Sequence, residues 1–363
     1  MHATKALRFL PILVASLALS ACGGGGSASP TAADPEPDPA PAPKPDTDPT
    51  PTGEGPSLAL SGCTNTVIVA DFAYGACGTE IEVVSLTNLT RSLIPVAADD
   101  IAADPELGLL FTQSQTSLSV LSLADPAEPS LQNSATTNFS AFSGLSAANG
   151  VLVVSGGAGS SNTQIYTYSA STLTLATNGI PEVDSVTGNP DVSVTATAAG
   201  VTAFYSQDIG AVANFAIQPV TFDTNGQVIN IFTETVLTAG AFAFNDALSP
   251  ANFPVESEFL NDQLFVAHFA AQGIEVIDLA NESAQLLSPI PLPYEPTNIA
   301  TDGILLFVVG LTNGTVDIID PNAATVTDSL NPDTALLAPV GVAASLTHVA
   351  VADRTNGLVV IAR

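Results

Sequence analysis

The side chains able to do chemistry are few. Cysteines stand at positions 22, 63 and 77, and histidines at 2, 268 and 348. A thiol can be a nucleophile, a metal ligand or half of a disulfide, according to its ionisation and its compartment. Cys22 follows Leu19-Ser20-Ala21, one large aliphatic residue and two small ones. Small side chains let a peptidase grip an extended backbone, and the thiol beyond them can take a lipid as a thioether. Cys63 and Cys77 form the remaining pair. Outside the cytoplasm such a pair is expected to be oxidised. A hairpin pairing 66–71 with 80–86 would set Cys63 at one end and Cys77 near the other, and a bridge needs Cα atoms within about 7 Å. A Cys63–Cys77 disulfide is the expectation, with two free thiols as the alternative.

His268 closes an apolar stretch and His348 opens one. Each reads as a structural histidine unless the fold brings both to a shared carboxylate. HExxH, P-loop, GxSxG and CxxC motifs are absent from the sequence, so no catalytic residue and no cofactor are assigned. Asp99, Asp100 and Asp104 lie close together in the chain. Their hard oxygens could hold calcium, although the EF-hand spacing is missing. Arg91 and Arg354 are rare cations expected to pair with nearby acids, or else to attract an anionic ligand group. The stretch 239–253, AGAFAFNDALSPANF, carries Phe242, Phe244 and Phe253 in the longest break between repeats. Long loops often bind, so these three rings are the candidate ligand-binding surface.

These groups need elements to place them. Residues 1–21 have a positive start, Lys5 and Arg8, and an apolar run from Leu10 to Leu19. That run is shorter than the roughly 20 residues that cross a bilayer, so it reads as a signal peptide. With Leu19-Ser20-Ala21-Cys22 it resembles the bacterial lipobox. The resemblance implies cleavage before Cys22 and acylation there. Gly23, where an Asp would retain the protein at the inner membrane, implies sorting to the outer membrane with the domain outside the cytoplasm. Residues 22–56 follow as a tether. Within 27–56 there are ten prolines and six acidic residues, a composition that denies backbone donors and offers no core. Thirty such residues in polyproline-II form reach roughly 90 Å at about 3.1 Å each.

Charge excludes one class of partner. The chain has 35 acidic residues against six basic ones, for a formal charge of −29. A surface of that sign repels nucleic acid. It keeps a protein soluble, and it would also suit a cationic partner.

Residues 57–363 repeat. Copies of an apolar strand, a polar turn and a second apolar strand begin near 67, 109, 151, 201, 264, 305 and 349. The spacing, close to 40–50 residues except once, is that of a four-stranded propeller blade. Runs such as Val349-Ala350-Val351-Ala352 and Leu358-Val359-Val360-Ile361 do not alternate, which means burial on both faces. Asn313-Gly314 and Asn356-Gly357 supply hairpin turns. An all-β propeller, seven-bladed by this count, is expected. The last copy ends on its second apolar strand, and 57–61 could close the ring as its outer strand.

The stretches VAVADRTNGLVVIAR, GIEVIDLAN and LSVLSLADPAEP resemble the LVIVD-type repeat of microbial surface proteins and the YVTN-type propeller repeat. The resemblance is strongest over 263–363. It implies a propeller and leaves activity open. The expected role is a surface-anchored module, held to the membrane by lipid, that binds a protein or glycan. The alternatives are a lactonase-like hydrolase and a scaffold within an envelope complex.

Overall fold

The computed structural model describes residues 62–114, 117–137, 142–156, 163–178, 191–197, 200–208, 214–231, 235–238, 255–268, 272–279 and 285–363. All lie in the second of two compact units, Thr52–Arg363. Cys22, Phe242, Phe244, Phe253 and the 57–61 segment lie outside the described residues.

The described residues form seven antiparallel sheets and no helix. In each sheet the first strands pair in chain order, from an innermost strand outward, and in the fourth and fifth sheets a last short strand, Thr235–Thr238 or Ile290–Pro291, pairs back onto the third. The innermost strands are Asn65–Val69, Asp100–Asp104, Phe142–Ala148, Asp191–Thr197, Val255–Leu260, Pro296–Thr301 and Pro339–Ala344. Each lies against the next, and Pro339–Ala344 lies against Asn65–Val69. The sheets therefore stand around an axis in a closed ring, which makes the fold a β-propeller.

The non-alternating runs now have a cause. In the second strand of the seventh sheet, His348–Asp353, Val349 and Val351 pack toward the sixth sheet on Phe307 and Val309. Ala350 and Ala352 turn the other way, onto Ala73, Val84 and the cysteines of the first sheet. Val151 and Val153 face Val220 and Phe222 of the fourth sheet, while Leu152 and Val154 face Phe111 and Leu118 of the second. Successive residues on a strand point to opposite faces, and here both faces are dry. Burying one such valine or leucine stabilises by about 1.5–3 kcal/mol.

The seventh sheet has three strands, ending in Gly357–Ala362. Among the described residues no fourth strand pairs with it. The Cys63 N–H donates to the Asp353 carbonyl at 3.2 Å. Gly341 is required at this seam, because a Cβ there would come within 2.9 Å of the Asn65 Cα.

One expectation is corrected. Residues 66–71 are not one strand paired with 80–86. Asn65–Val69 turns through Ala70 and Asp71 and pairs with Phe72–Ala76, which in turn pairs with Ile81–Ser85. Ala70 takes a left-handed φ of 51° at that turn. Cys63 and Cys77 thus flank the same end of one hairpin, with Asn65 opposite Ala76. They are joined as a disulfide, with Cα atoms 4.0 Å apart.

Candidate functional site: the mouth of the central channel

Some innermost strands carry alanines, as in Asp100–Asp104 (DIAAD), Phe142–Ala148 (FSGLSAA) and Pro339–Ala344 (PVGVAA). Several carry a polar or glycine residue at or near their first position. Thr64-Asn65, Asp99-Asp100, Thr297-Asn298 and Val340-Gly341 occupy corresponding places in the first, second, sixth and seventh sheets. The pairs do similar work. The Thr64 hydroxyl donates to the Asp99 carbonyl of the next sheet at 2.6 Å, and Asn65 Nδ2 donates to Asp100 Oδ1. The Thr297 hydroxyl donates to the Pro339 carbonyl of the next sheet at 3.1 Å. Asn298 Oδ1 accepts the Val342 N–H at 3.1 Å. Each clasp satisfies groups that two adjoining inner strands cannot pair with one another.

These residues rim a cavity of about 310 Å³. Its described lining comes from six inner strands and includes Asn65, Asp100, Ser146, Glu256, Ser257, Glu258 and Asn298 beside Ala102, Ala103, Ala147 and Phe259. Glu256 and Glu258 are two residues apart on one strand and so share a face. None of the described lining residues is basic. Asp100 is almost wholly buried, and burial pushes its carboxyl up to about 7, helped by Asp99. The Asn65 amide and the Ile101 and Leu145 N–H groups pull the other way and limit the rise.

The three aspartates read as a possible calcium set do not converge. Asp100 and Asp104 begin and end one strand, about 13 Å apart at 3.3 Å per residue. Asp104 Oδ1 accepts the Glu106 and Leu107 N–H groups, and Oδ2 accepts the Tyr168 hydroxyl at 2.7 Å. Asp99 Oδ2 accepts the Ser114 hydroxyl on the surface. Among the described residues, the one group of potential metal ligands in mutual reach is Cys63, Cys77 and Glu82, and the disulfide takes both its sulfurs.

The two histidines are separated as well. His268 ends its strand opposite Val255, the first residue of an inner strand. His348 begins the corresponding strand, beyond the last inner-strand residue, Ala344. They therefore belong to opposite faces of the ring. His348 Nδ1 lies 2.9 Å from the neighbouring Thr347 hydroxyl.

Sequence reasoning missed a second series of polar groups. Glu82, Glu275 and Asp317 occupy one register position on the third strands of the first, fifth and sixth sheets. Glu82 is fully buried and bridges the ring's seam. It pairs with Arg91 and accepts the Leu358 N–H of the seventh sheet at 2.9 Å. Burial raises its carboxyl above the usual range, against the pull of that N–H and of Arg91. Asp317 accepts the Tyr294 hydroxyl at 2.8 Å and the Ser329 hydroxyl at 2.6 Å. Glu275 is buried, which raises its carboxyl, and its Oε2 has no donor among the described residues. The motifs IEVVS, IEVID and VDIID, each an acid inside an apolar run, were the available signal. Arg91 thus pairs as expected, whereas Arg354 forms no ion pair among the described residues.

No family model matches the chain, and no curated protein does. Solved structures match throughout the domain. Hydrazine synthase of Kuenenia stuttgartiensis aligns with a TM-score of 0.61 at 12% identity, covering 86% of this chain and 98% of that one. A streptogramin B lyase aligns at 0.57 and 13%, covering 85% and 95%. A β-propeller domain from Myceliophteria thermophila aligns at 0.59 and 9%, covering 84% and 97%. The likeness is one of fold. At these identities the neighbours carry propeller architecture to this chain and nothing of their chemistry.

Proposed function

We propose that the protein is an envelope-anchored interaction module: a propeller held to a membrane by lipid on Cys22 and spaced from it by residues 23–56. One observation carries the binding half of this reading. The ring gathers polar groups from six inner strands at a single channel, while the two histidines of the domain fall on opposite faces. Such a channel can hold and orient a partner without a nucleophile or a proton-transfer pair. The neighbours, drawn from very different systems, support a fold that serves as a scaffold for recognition. The lipobox resemblance and the Pro-rich stretch support the anchor. A single acyl chain binds membranes marginally, so several on one residue are needed for a firm hold.

The segment with Phe242, Phe244 and Phe253 leads into Val255, the first residue of an inner strand. Asn65, Asp100 and Asn298 mark the same end of theirs. On this reading Phe242, Phe244 and Phe253 are the residues that a protein partner contacts.

The anchor is tested by feeding cells labelled palmitate. The wild-type protein is expected to carry label, and Cys22→Ser to carry none and leave the membrane fraction. Equal labelling of both would refute the anchor. Crosslinking of intact cells followed by mass spectrometry tests the module. A reproducible partner, lost when the three phenylalanines become alanine, is expected.

A further inference from the structure

We infer that the face of the ring opposite the channel mouth docks a cationic amphipathic segment of a protein partner. This goes beyond the module reading, since it stands whether or not Cys22 carries lipid. The starting point is the turn that joins the first strand of each sheet to the second. In the sixth, seventh, first and second sheets these turns carry Ile304, Leu346, Ala70 and Leu107. All four residues are exposed, Leu346 by 69% and Ile304 by 60%. The four sheets are consecutive around the ring. Adjoining sheets pack roughly 10 Å apart, so the four tips form one crescent around the far end of the channel. In the third and fifth sheets the same turns are Asn149-Gly150 and Asn261-Asp262, which are polar. A single exposed leucine needs no explanation, but apolar side chains on successive tips mark a contact surface.

Leu89 extends the crescent. The Leu86 N–H donates to the Asp71 carbonyl at 2.8 Å, which ties the turn after the third strand to the tip of the first sheet. Leu89, in that turn, is 46% exposed and holds a left-handed φ of 57°. Glycine or asparagine would take that backbone with less strain, and nearly half of the leucine stays in water. Charge selects the occupant. Asp71 and Glu106 stand beside Ala70 and Leu107, and Asp125 and Glu128 lie in the neighbouring turn of the second sheet, all four exposed. They enter no ion pair among the described residues, where the cations of this face are engaged elsewhere, Arg363 with Asp302 and Arg91 with Glu82. Apolar tips rimmed by acids suit a partner that is apolar on one side and basic on the other, as an amphipathic helix rich in Lys or Arg is. A second copy of the chain would set two acidic rims against each other, and an anionic lipid surface would be repelled.

The test uses the full chain as Cys22→Ser, so that no acyl group contributes. Fluorescence anisotropy reads its binding to a labelled leucine–lysine peptide of about 15 residues, patterned as an amphipathic helix. A scrambled isomer and a leucine–glutamate version are the controls. Binding is expected for the patterned basic peptide, weaker for the scrambled one and absent for the acidic one. Ile304→Ser with Leu346→Ser trims two exposed side chains and is expected to weaken binding about tenfold, the worth of a couple of methylenes left in water. Leu337→Ser, at a comparably exposed leucine just before the inner strand of the seventh sheet and so at the mouth end, is expected to change nothing. Should the double variant fail to fold, Leu89→Asn, which suits the left-handed backbone, is expected to weaken binding while the melting temperature holds or rises. No binding, equal binding of the scrambled peptide, or equal loss on Leu337→Ser would overturn the inference. So would self-association in sedimentation, or binding to phosphatidylethanolamine vesicles, that the double variant abolishes, because either gives the crescent to another occupant. None of these results bears on palmitate labelling of Cys22 or on crosslinks made through the three phenylalanines.

Discussion

Asp100 shows how one position can do two jobs. Its carboxyl is held by Asn65 and two backbone N–H groups, so it joins three inner strands, yet it is buried enough to titrate near 7. A carboxyl whose value rises on folding binds a proton more tightly in the folded state. The stability it contributes is complete below its ordinary value of 3.8 and is lost as pH climbs through about 7. The slope from this one group cannot exceed about 1.4 kcal/mol per pH unit. We expect Asp100→Asn to flatten the fall in melting temperature across that window relative to wild type. Parallel curves for the two proteins would show that Asp100 stays ionised throughout. The Thr-Asn pairs at 64–65 and 297–298 were visible as letters, but nothing in one chain marks a dipeptide as reaching a strand some forty residues away.

At the scale of the element, the first hairpin is the instructive case. TVIVAD, 66–71, reads as one strand that pairs with 80–86, because Ala70 and Asp71 break the apolar run only briefly. The chain reverses there with a left-handed alanine, and that reversal sets Cys63 beside Cys77. The bridge spans 14 residues. Closing a loop of that length removes unfolded-state entropy worth roughly 3 kcal/mol. Denaturant titrations with and without a thiol reductant should differ by about that amount, and superimposable curves would argue for free thiols in the native protein.

Glu82 is the neighbouring element-level device. It is buried at the seam between the last sheet and the first, with Arg91 as its counter-charge. Arg91→Ala strands that carboxylate and should cost about 3 kcal/mol. Glu82→Gln with Arg91→Leu, which removes both charges, should recover much of the loss. A double variant as unstable as the single one would mean that the Arg91 stem matters more than its charge.

The propeller is a ring that must close, and the chain carries a formal charge of −29. Each sheet buries two faces only if it has two neighbours, so stability is shared around the circle. Self-repulsion opposes compaction. Raising salt from about 0.1 M to about 1 M shortens the screening length from roughly 10 Å to roughly 3 Å. The melting temperature should rise over that range. A flat or falling response would place the acids too far apart, or too well paired, to strain the fold.

Sequence alone determined the class of the fold. Seven greasy double strands at a regular spacing, without alternation, have to be covered on both sides, and a ring of sheets does that. What sequence could not decide was the inner layer. The strands starting at Asp100, Pro296 and Pro339 are five or six residues of mixed, small or polar character, so they carry too little hydrophobic signal to stand out. Their meaning comes from convergence. Only when the ring closes do Asn65, Asp100, Ser146, Glu256, Glu258 and Asn298, spread over more than half the chain, surround one small volume. Closure is a long-range event set by how sheets pack on each other, and local patterning does not encode which side chains will meet at the axis.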